Sequence, residues 1–265
     1  MASRTRQTSR PPAATTWVAA SALSATPSPS EAFLQRAIAA TEPEHRERWA
    51  RQGLDLDDPR RAPDTQFLLL RQVYLAQLER DRWDDAIAIA SRMAEVGPFA
   101  DLAHNDRSRA LTARGDTDAA IAAQREALEA APKERRSFHG FFLGTLLHFA
   151  GDVPEALAVI AKAERAAGRD RPLVRALGAY VRLDAGLAVQ RLSAITSELA
   201  RSRAREGYGQ FLLGMIAHHV GDRARAAAHL RAFLRRNAAI DRAKLVTLRQ
   251  ELHRARRVLA DTALD

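Results

Sequence analysis

The chain of 265 residues carries 41 Lys and Arg against 32 Asp and Glu, a net charge of +9, with 46% hydrophobic residues and no cysteine. At about 100–200 residues per domain it holds one or two domains with enough apolar side chains for a core, and the missing thiol excludes a disulfide framework, thiolate metal sites and a cysteine nucleophile. No apolar run approaches the roughly 20 residues of a membrane span, the longest being 141–150, which carries His148. Aromatic residues make up only 6% while Ala, Leu and Arg dominate, a helix-forming composition, so an all-α, soluble, cytoplasmic protein is expected.

Residues 1–29 form a basic tail with Arg4, Arg6 and Arg10, no acid before Glu31, and a high density of Pro, Ser and Thr. Such a segment cannot bury enough apolar surface to offset its ordering entropy and reads as disordered. It shares this basic, Ser-rich character with targeting peptides, with Ala-Leu-Ser-Ala at 22–25 beside a candidate cleavage point, but the stretch 17–25 is too short and too weakly apolar for a secretory core. Residues 30–64 predict a helical pair and a loop. Ser30 is placed to cap a helix running to Ala39. Thr41 and Glu44 form a capping box for a helix over 42–52, Pro43 sits in its first turn, Gly53 ends it, and 54–64 is a loop rich in Asp, Pro and Arg.

From residue 65 a motif recurs. Arg-Trp-Asp-Asp-Ala at 82–86 with Pro98, Gly-Asp-Thr-Asp-Ala-Ala at 115–120 with Pro132, and Gly-Asp-Val-Pro-Glu-Ala at 151–156 align, with Ala86 and Ala120 separated by 34 residues. A further copy at Gly221-Asp222 lies 70 residues after Gly151, two periods of 35. The copy between them falls near 172–204, where Leu177-Gly178 takes the place of Leu143-Gly144 and Leu213-Gly214. Small residues at these places let paired helices approach to about 8–10 Å. Gly at the turn accepts the left-handed conformation that ends one helix, and the Asp after it can cap the next.

A 34-residue period with Leu-Gly in a first helix, Gly-Asp at the turn, Ala early in a second helix and Pro at its end resembles the tetratricopeptide repeat (TPR). The resemblance covers 65–238 as five repeats of uneven quality: the first lacks the Gly, and the fourth is degenerate around Asp184-Ala185-Gly186. It implies a right-handed superhelix, an α-solenoid of helix-turn-helix repeats whose first helices line a concave groove. Residues 239–265, with Leu245, Leu248, Leu252 and Leu259 spaced among arginines, are expected to supply a basic capping helix over the last repeat, or a docking helix, and a tail.

Carried onto this sequence, the resemblance implies that Phe138, Phe141, Thr145 and His148 face the groove in the third repeat, and Arg175, Ala179 and Arg182 in the fourth. The fifth contributes Tyr208, Phe211, Met215 and His218, and the second Leu102, Asn105, Arg109 and Thr112. Aromatic rings and a Met would suit a partner's peptide or helix. At helical spacing the same rings serve equally as core, and the chain's own tail or terminal helix could fill the groove. The Lys/Asn set with which some members of the family clamp a C-terminal carboxylate is missing at these places.

The expected function is therefore a non-catalytic adaptor or scaffold with a protein or peptide partner and no cofactor or metal. The sequence has no Gly-rich phosphate loop, nucleophile elbow or His-Glu-x-x-His. His148 and His218 each stand three residues before a turn Gly, but two repeats apart, roughly 20 Å at about 10 Å per layer, too far to share an ion. Charge supplies the alternatives. Fourteen Lys and Arg against four acids lie within 201–257, and Arg231, Arg235, Arg236, Arg249, Arg254, Arg256 and Arg257 form a candidate basic patch for an acidic protein, nucleic acid or an anionic membrane. A solvated helical face carries the same pattern, and the region lacks the interleaved aromatics of base stacking. A nucleic-acid or ribosome-associated protein, or a homo-oligomer stacking through an imperfectly capped end, are the rival readings.

Overall fold

The computed structural model describes residues 28–238 and 242–261, so nearly all of the tail expected over 1–29 lies outside the described residues. Among the described residues there are fourteen α-helices and no strand. No described helix is long and apolar enough to cross a membrane. In order they are α1 (Pro29–Ala39), α2 (Pro43–Asp55), α3 (Pro63–Glu79), α4 (Trp83–Ala94), α5 (Ala100–Arg114), α6 (Thr117–Ala130) and α7 (Arg136–Ala150), then α8 (Val153–Ala166), α9 (Arg171–Asp184), α10 (Leu192–Arg201), α11 (Tyr208–His219), α12 (Arg223–Asn237), α13 (Arg242–Thr247) and α14 (Arg249–Asp261).

The first two helices begin and end differently from expectation. Ser28, not Ser30, caps α1: its Oγ accepts from Glu31 N at 3.2 Å while the Glu31 carboxylate accepts from Ser28 N at 2.7 Å, the reciprocal pair of a capping box. Ser30 N donates instead to Asp58 at 3.0 Å, and that backbone hydrogen bond is the main reason the Asp58 carboxyl is lowered to about 2. At α2 the N-cap is Glu42 without a side-chain bond, and the helix runs through Gly53 to Asp55. Gly53 is a packing residue here, since a Cβ on it would stand 2.9 Å from both Leu69 and Phe33.

The recurring turns form as their residues require. Gly151 and Gly221 end α7 and α11 at φ of +90° and +79°, and Asp116, Asp152 and Asp222 each accept the backbone N–H three residues on at 3.0–3.2 Å. In the first hairpin, which lacks the Gly, Asp81 takes the left-handed conformation at φ 59°. Inside the hairpins Gly144 and Gly214 allow close approach: a Cβ there would meet Ile160 at 2.5 Å and Leu230 at 2.6 Å.

Each helix from α1 to α12 packs on the next, and alternate helices touch as well. Tyr74 on α3 donates to the Asp106 carbonyl on α5 at 2.7 Å, Arg135 and His139 on α7 reach Asp101 on α5, and α9 packs against both α7 and α11. So α3, α5, α7, α9 and α11 share one side of the stack. The partners Arg71 and Asp106, Asp101 and Arg135, and His148 and Asp184 lie 35, 34 and 36 residues apart, so the sequence period recurs in the side-chain pairs that join neighbouring first helices.

The apolar core falls into two main clusters. One joins α1 to α5 around Phe67, Leu70, Tyr74 and Met93; the other joins α7 to α12 around Leu147, Leu177, Tyr180, Phe211 and Phe233. Between them α5 and α6 bury Asp101, Asn105, Asp106, Ser108 and Gln124 in a polar seam. The C-terminal segment spans both clusters. Ala243 of α13 joins the first, with α13 against α3 and α5 and Arg242 paired to Asp81, while Leu252, Ala255 and Val258 of α14 join the second against α11 and α12.

Candidate functional site

The densest convergence of polar side chains from separate helices lies where α14 crosses α9 and α11. Arg254 donates to the Tyr180 hydroxyl at 2.9 Å and to Asp184 Oδ2 at 3.0 Å, and its guanidinium lies over the Phe149 ring of α7, 4.8 Å from the centroid. Asp184, at the last turn of α9, is shared. His148 Nε2 of α7 approaches its Oδ2 at 2.7 Å and His219 Nε2 of α11 its Oδ1 at 3.2 Å. With Asp184 ionised, His148 donates from Nε2, and its buried Nδ1 keeps a lone pair without a partner among the described residues.

The electrostatics follow from this packing. Burial by itself raises Asp184, but the hydrogen bonds from His148 and Arg254 outweigh it and hold the carboxyl below its ordinary value. Burial is the largest influence on both histidines and pushes them below the usual imidazole range despite the neighbouring carboxylate. One turn before Arg254, Glu251 is buried and accepts from the Tyr208 hydroxyl at 3.0 Å; loss of water around it raises its carboxyl to about 7. Tyr180 and Tyr208 are both pushed up by burial, so both remain neutral, Tyr208 donating to Glu251 and Tyr180 accepting from Arg254. Arginine, carboxylates and tyrosines here hold one helix against three others.

This geometry corrects several expectations. Phe141, Phe211, Met215 and His148 are buried, not lining an open groove, because the rings pack on one another: Phe141 on Tyr208 with centroids 5.2 Å apart, Tyr208 on Phe211 at 5.4 Å, Tyr180 on Phe211 at 5.8 Å and Phe211 on Phe233 at 5.4 Å. Phe138 is half-buried against Phe142, and His218 half-buried beside His219. Arg175 is neutralised between Glu164 and Glu198, each at 2.8 Å, and Arg182 bonds the Gly178 carbonyl of its own helix. Helices α7 and α11 also meet through side chains, via Phe141 with Tyr208 and via the two histidines on Asp184, so they converge across α9 more closely than even layer spacing allows.

Of the expected basic patch, Arg254 is turned into the fold and Arg236 pairs with Glu206 at 3.3 Å. Arg231, Arg235, Arg249, Arg256 and Arg257 are exposed. Sequence reading missed Asp184, Tyr180, His219 and Glu251. One signal was available: Glu251 is the sole acid between Arg242 and Ala260 and lies on the stripe of Leu252, Ala255 and Val258, where only a buried and partnered carboxyl belongs.

No protein-family model matches this chain, and comparison with curated proteins returns no relative.

Proposed function

We propose that the chain is a non-catalytic interaction scaffold of TPR-like repeats, a right-handed superhelix in which α3, α5, α7, α9 and α11 form the inner, helix-binding face. In this reading α13 and α14 occupy that face as an internal ligand, and a partner gains access by displacing them. The observation that carries it is the seating of α14, whose small and apolar side chains lie on α11 and α12 while Arg254 reaches into Tyr180, Asp184 and Phe149 and Glu251 meets Tyr208. An amphipathic helix laid into a groove, anchored by a central half-buried Arg, is a common mode of helix recognition. The partner that fits has the same chemistry: a helix with Glu and Arg three residues apart on a face of Leu, Ala and Val.

A labelled peptide of residues 242–261 tests this against the full chain carrying Arg254→Ala, in which the internal helix is weakened. Saturable binding, competed by unlabelled peptide and lost when the peptide itself carries Arg254→Ala, supports the reading. No saturable binding to the weakened chain overturns it.

A further inference from the structure

Many arginines of this chain meet carboxylates, and five exposed ones on two adjoining C-terminal helices do not. From α2 to α9 most are paired: Arg71 with Asp106, Arg80 with Glu47, Arg114 with Asp84, Arg125 with Glu155, Arg135 with Asp101 and Arg175 with Glu164. On α12 and α14, which pack against each other, Arg231, Arg235, Arg249, Arg256 and Arg257 are exposed, and none has a carboxylate within 4 Å among the described residues. Helix α12 contains no acid, and the two acids of α14 are Glu251, buried on the opposite side, and Asp261 at its last residue.

The placement is ordered. At 3.6 residues per turn, Arg249, His253, Arg256 and Arg257 fall within an arc of about 100° facing away from Ala255 and Val258, and the stripe extends about 12 Å at 1.5 Å per residue. On α12, Arg231 and Arg235 lie one turn apart, away from Leu230 and Phe233, which are buried. A stripe of that length spans three to four phosphates of one strand at about 3.4 Å rise each.

Two features of the same helices decide what kind of polyanion fits. Insertion into a membrane surface needs the apolar side of an amphipathic helix to be free, and here Leu252, Ala255 and Val258 are spent on the core. Single-stranded nucleic acid is held by bases stacked chiefly on exposed Phe, Tyr or Trp rings; α14 has none of these, and the one such ring of α12, Phe233, is buried. What remains is a row of exposed guanidinium groups spaced along helix faces, suited to phosphates fixed at regular spacing and bound without reading bases.

We propose that, with α14 docked, the outer sides of α12 and α14 bind the phosphate backbone of double-stranded nucleic acid, independently of sequence. The shared chemistry is the duplex backbone, whether of DNA or RNA.

Fluorescence anisotropy of the full chain tests it, with a short labelled DNA duplex of arbitrary sequence, the matching RNA duplex as a second arm, and vesicles of phosphatidylcholine with phosphatidylserine as a third. The expected result is binding of at least one duplex at low salt, with log affinity falling linearly with log salt. The triple change Arg249→Glu, Arg256→Glu, Arg257→Glu should lower affinity at least tenfold and reduce the salt slope by about 0.9 for each phosphate the protein ceases to neutralise. Arg165→Glu, Arg169→Glu, Arg171→Glu removes the same charge from exposed arginines at the junction of α8 and α9 and serves as control. Circular dichroism establishes that each variant is folded, and the milder Arg231→Gln, Arg235→Gln pair gives a second reading. No duplex binding at low salt overturns the proposal, as does an equal loss in the control triple, which would reduce the effect to net charge. Binding to the vesicles alone also overturns it, in favour of a lipid surface.

Discussion

Arg254 on α14 donates to Asp184 on α9 at 3.0 Å across 70 residues of sequence, and the same guanidinium bonds Tyr180 and covers Phe149. One side chain thus ties the last helix to two earlier ones. Both partners of the ion pair retain about a quarter of their side-chain exposure, so solvent screening discounts its strength. Arg254→Ala is expected to cost about 1 kcal/mol, a net value for hydrogen bonds to a charged group after that discount. In hydrogen exchange, amides of α14 should exchange severalfold faster while those of α3 and α4 keep their protection. Unchanged exchange in α14 would mean that Leu252, Ala255 and Val258 hold the helix without help from the arginine.

Glu251 gives the docked helix a pH dependence of definite sign. Its carboxyl is raised from 4.5 to about 7 by burial, so between those values the unfolded chain has released a proton that the folded chain keeps. Stability is therefore highest on this account below the unfolded value and is lost as pH rises toward and through 7. His148 and His219, lowered by burial, act in the opposite sense: the unfolded chain takes up protons first as pH falls through the ordinary imidazole range. Glu251→Gln keeps an oxygen to accept from Tyr208 and removes the carboxylate. Thermal denaturation should show the variant raised over the parent at pH 8 and nearly level with it at pH 4.5, leaving the histidine contribution below neutral pH intact.

How much of this was legible follows from which signals are local. The hairpins were, because Gly151, Asp152, Gly221 and Asp222 state their turn in adjacent residues and Gly144 and Gly214 mark where helices must come close. The start of α1 misled, since Ser28 and Ser30 both precede a helical pattern and only the reciprocal bond from Glu31 selects Ser28. Gly53 misled for a related reason, as a stop signal and a packing signal are the same letter. The site was largely illegible: Asp184 gathers His148 from one neighbouring helix, His219 from the other and Arg254 from α14, and a periodic sequence places the first helices in line without revealing that α7 and α11 converge or that α14 crosses them. Whether Phe211 faced a groove or a core depended on that convergence.

Phe211 supplies the energetic test of its position. It is fully buried between Tyr180, Tyr208 and Phe233, so Phe211→Ala should leave a cavity and cost about 3–5 kcal/mol in denaturant unfolding. Gly214→Ala on the same helix acts by the opposite route, pushing a methyl group to 2.6 Å from Leu230, and should cost about 1–3 kcal/mol. Pairing it with Leu230→Ala should recover part of the strain, giving a double-mutant coupling that two unconnected substitutions would not show.

The polar seam at α5 makes the sharpest demand on a single carboxylate. Asp101 is 1% exposed and accepts from Arg135 through both oxygens, at 2.6 and 2.8 Å, while His139 Nε2 lies 2.9 Å from Oδ2. Burial alone would raise this carboxyl, yet the bonds from His139 and Arg135 hold it below its ordinary value. Its contribution is therefore present above the unfolded pKa and lost as pH falls through the lower folded one. Asp101→Asn removes the charge and one acceptor while leaving Arg135 and the buried His139 in place, and breaking a buried pair from one side typically costs about 3–5 kcal/mol. Because Arg135 retains 30% side-chain exposure and can turn to water, the lower end of that range is expected in urea unfolding. Asp116→Ala, which removes a helix cap and an exposed pair with Arg114, should cost about 1 kcal/mol. A loss at Asp101 no larger than at Asp116 would show that the seam between the two apolar clusters is hydrated and that its buried carboxylate carries no more than a surface cap does.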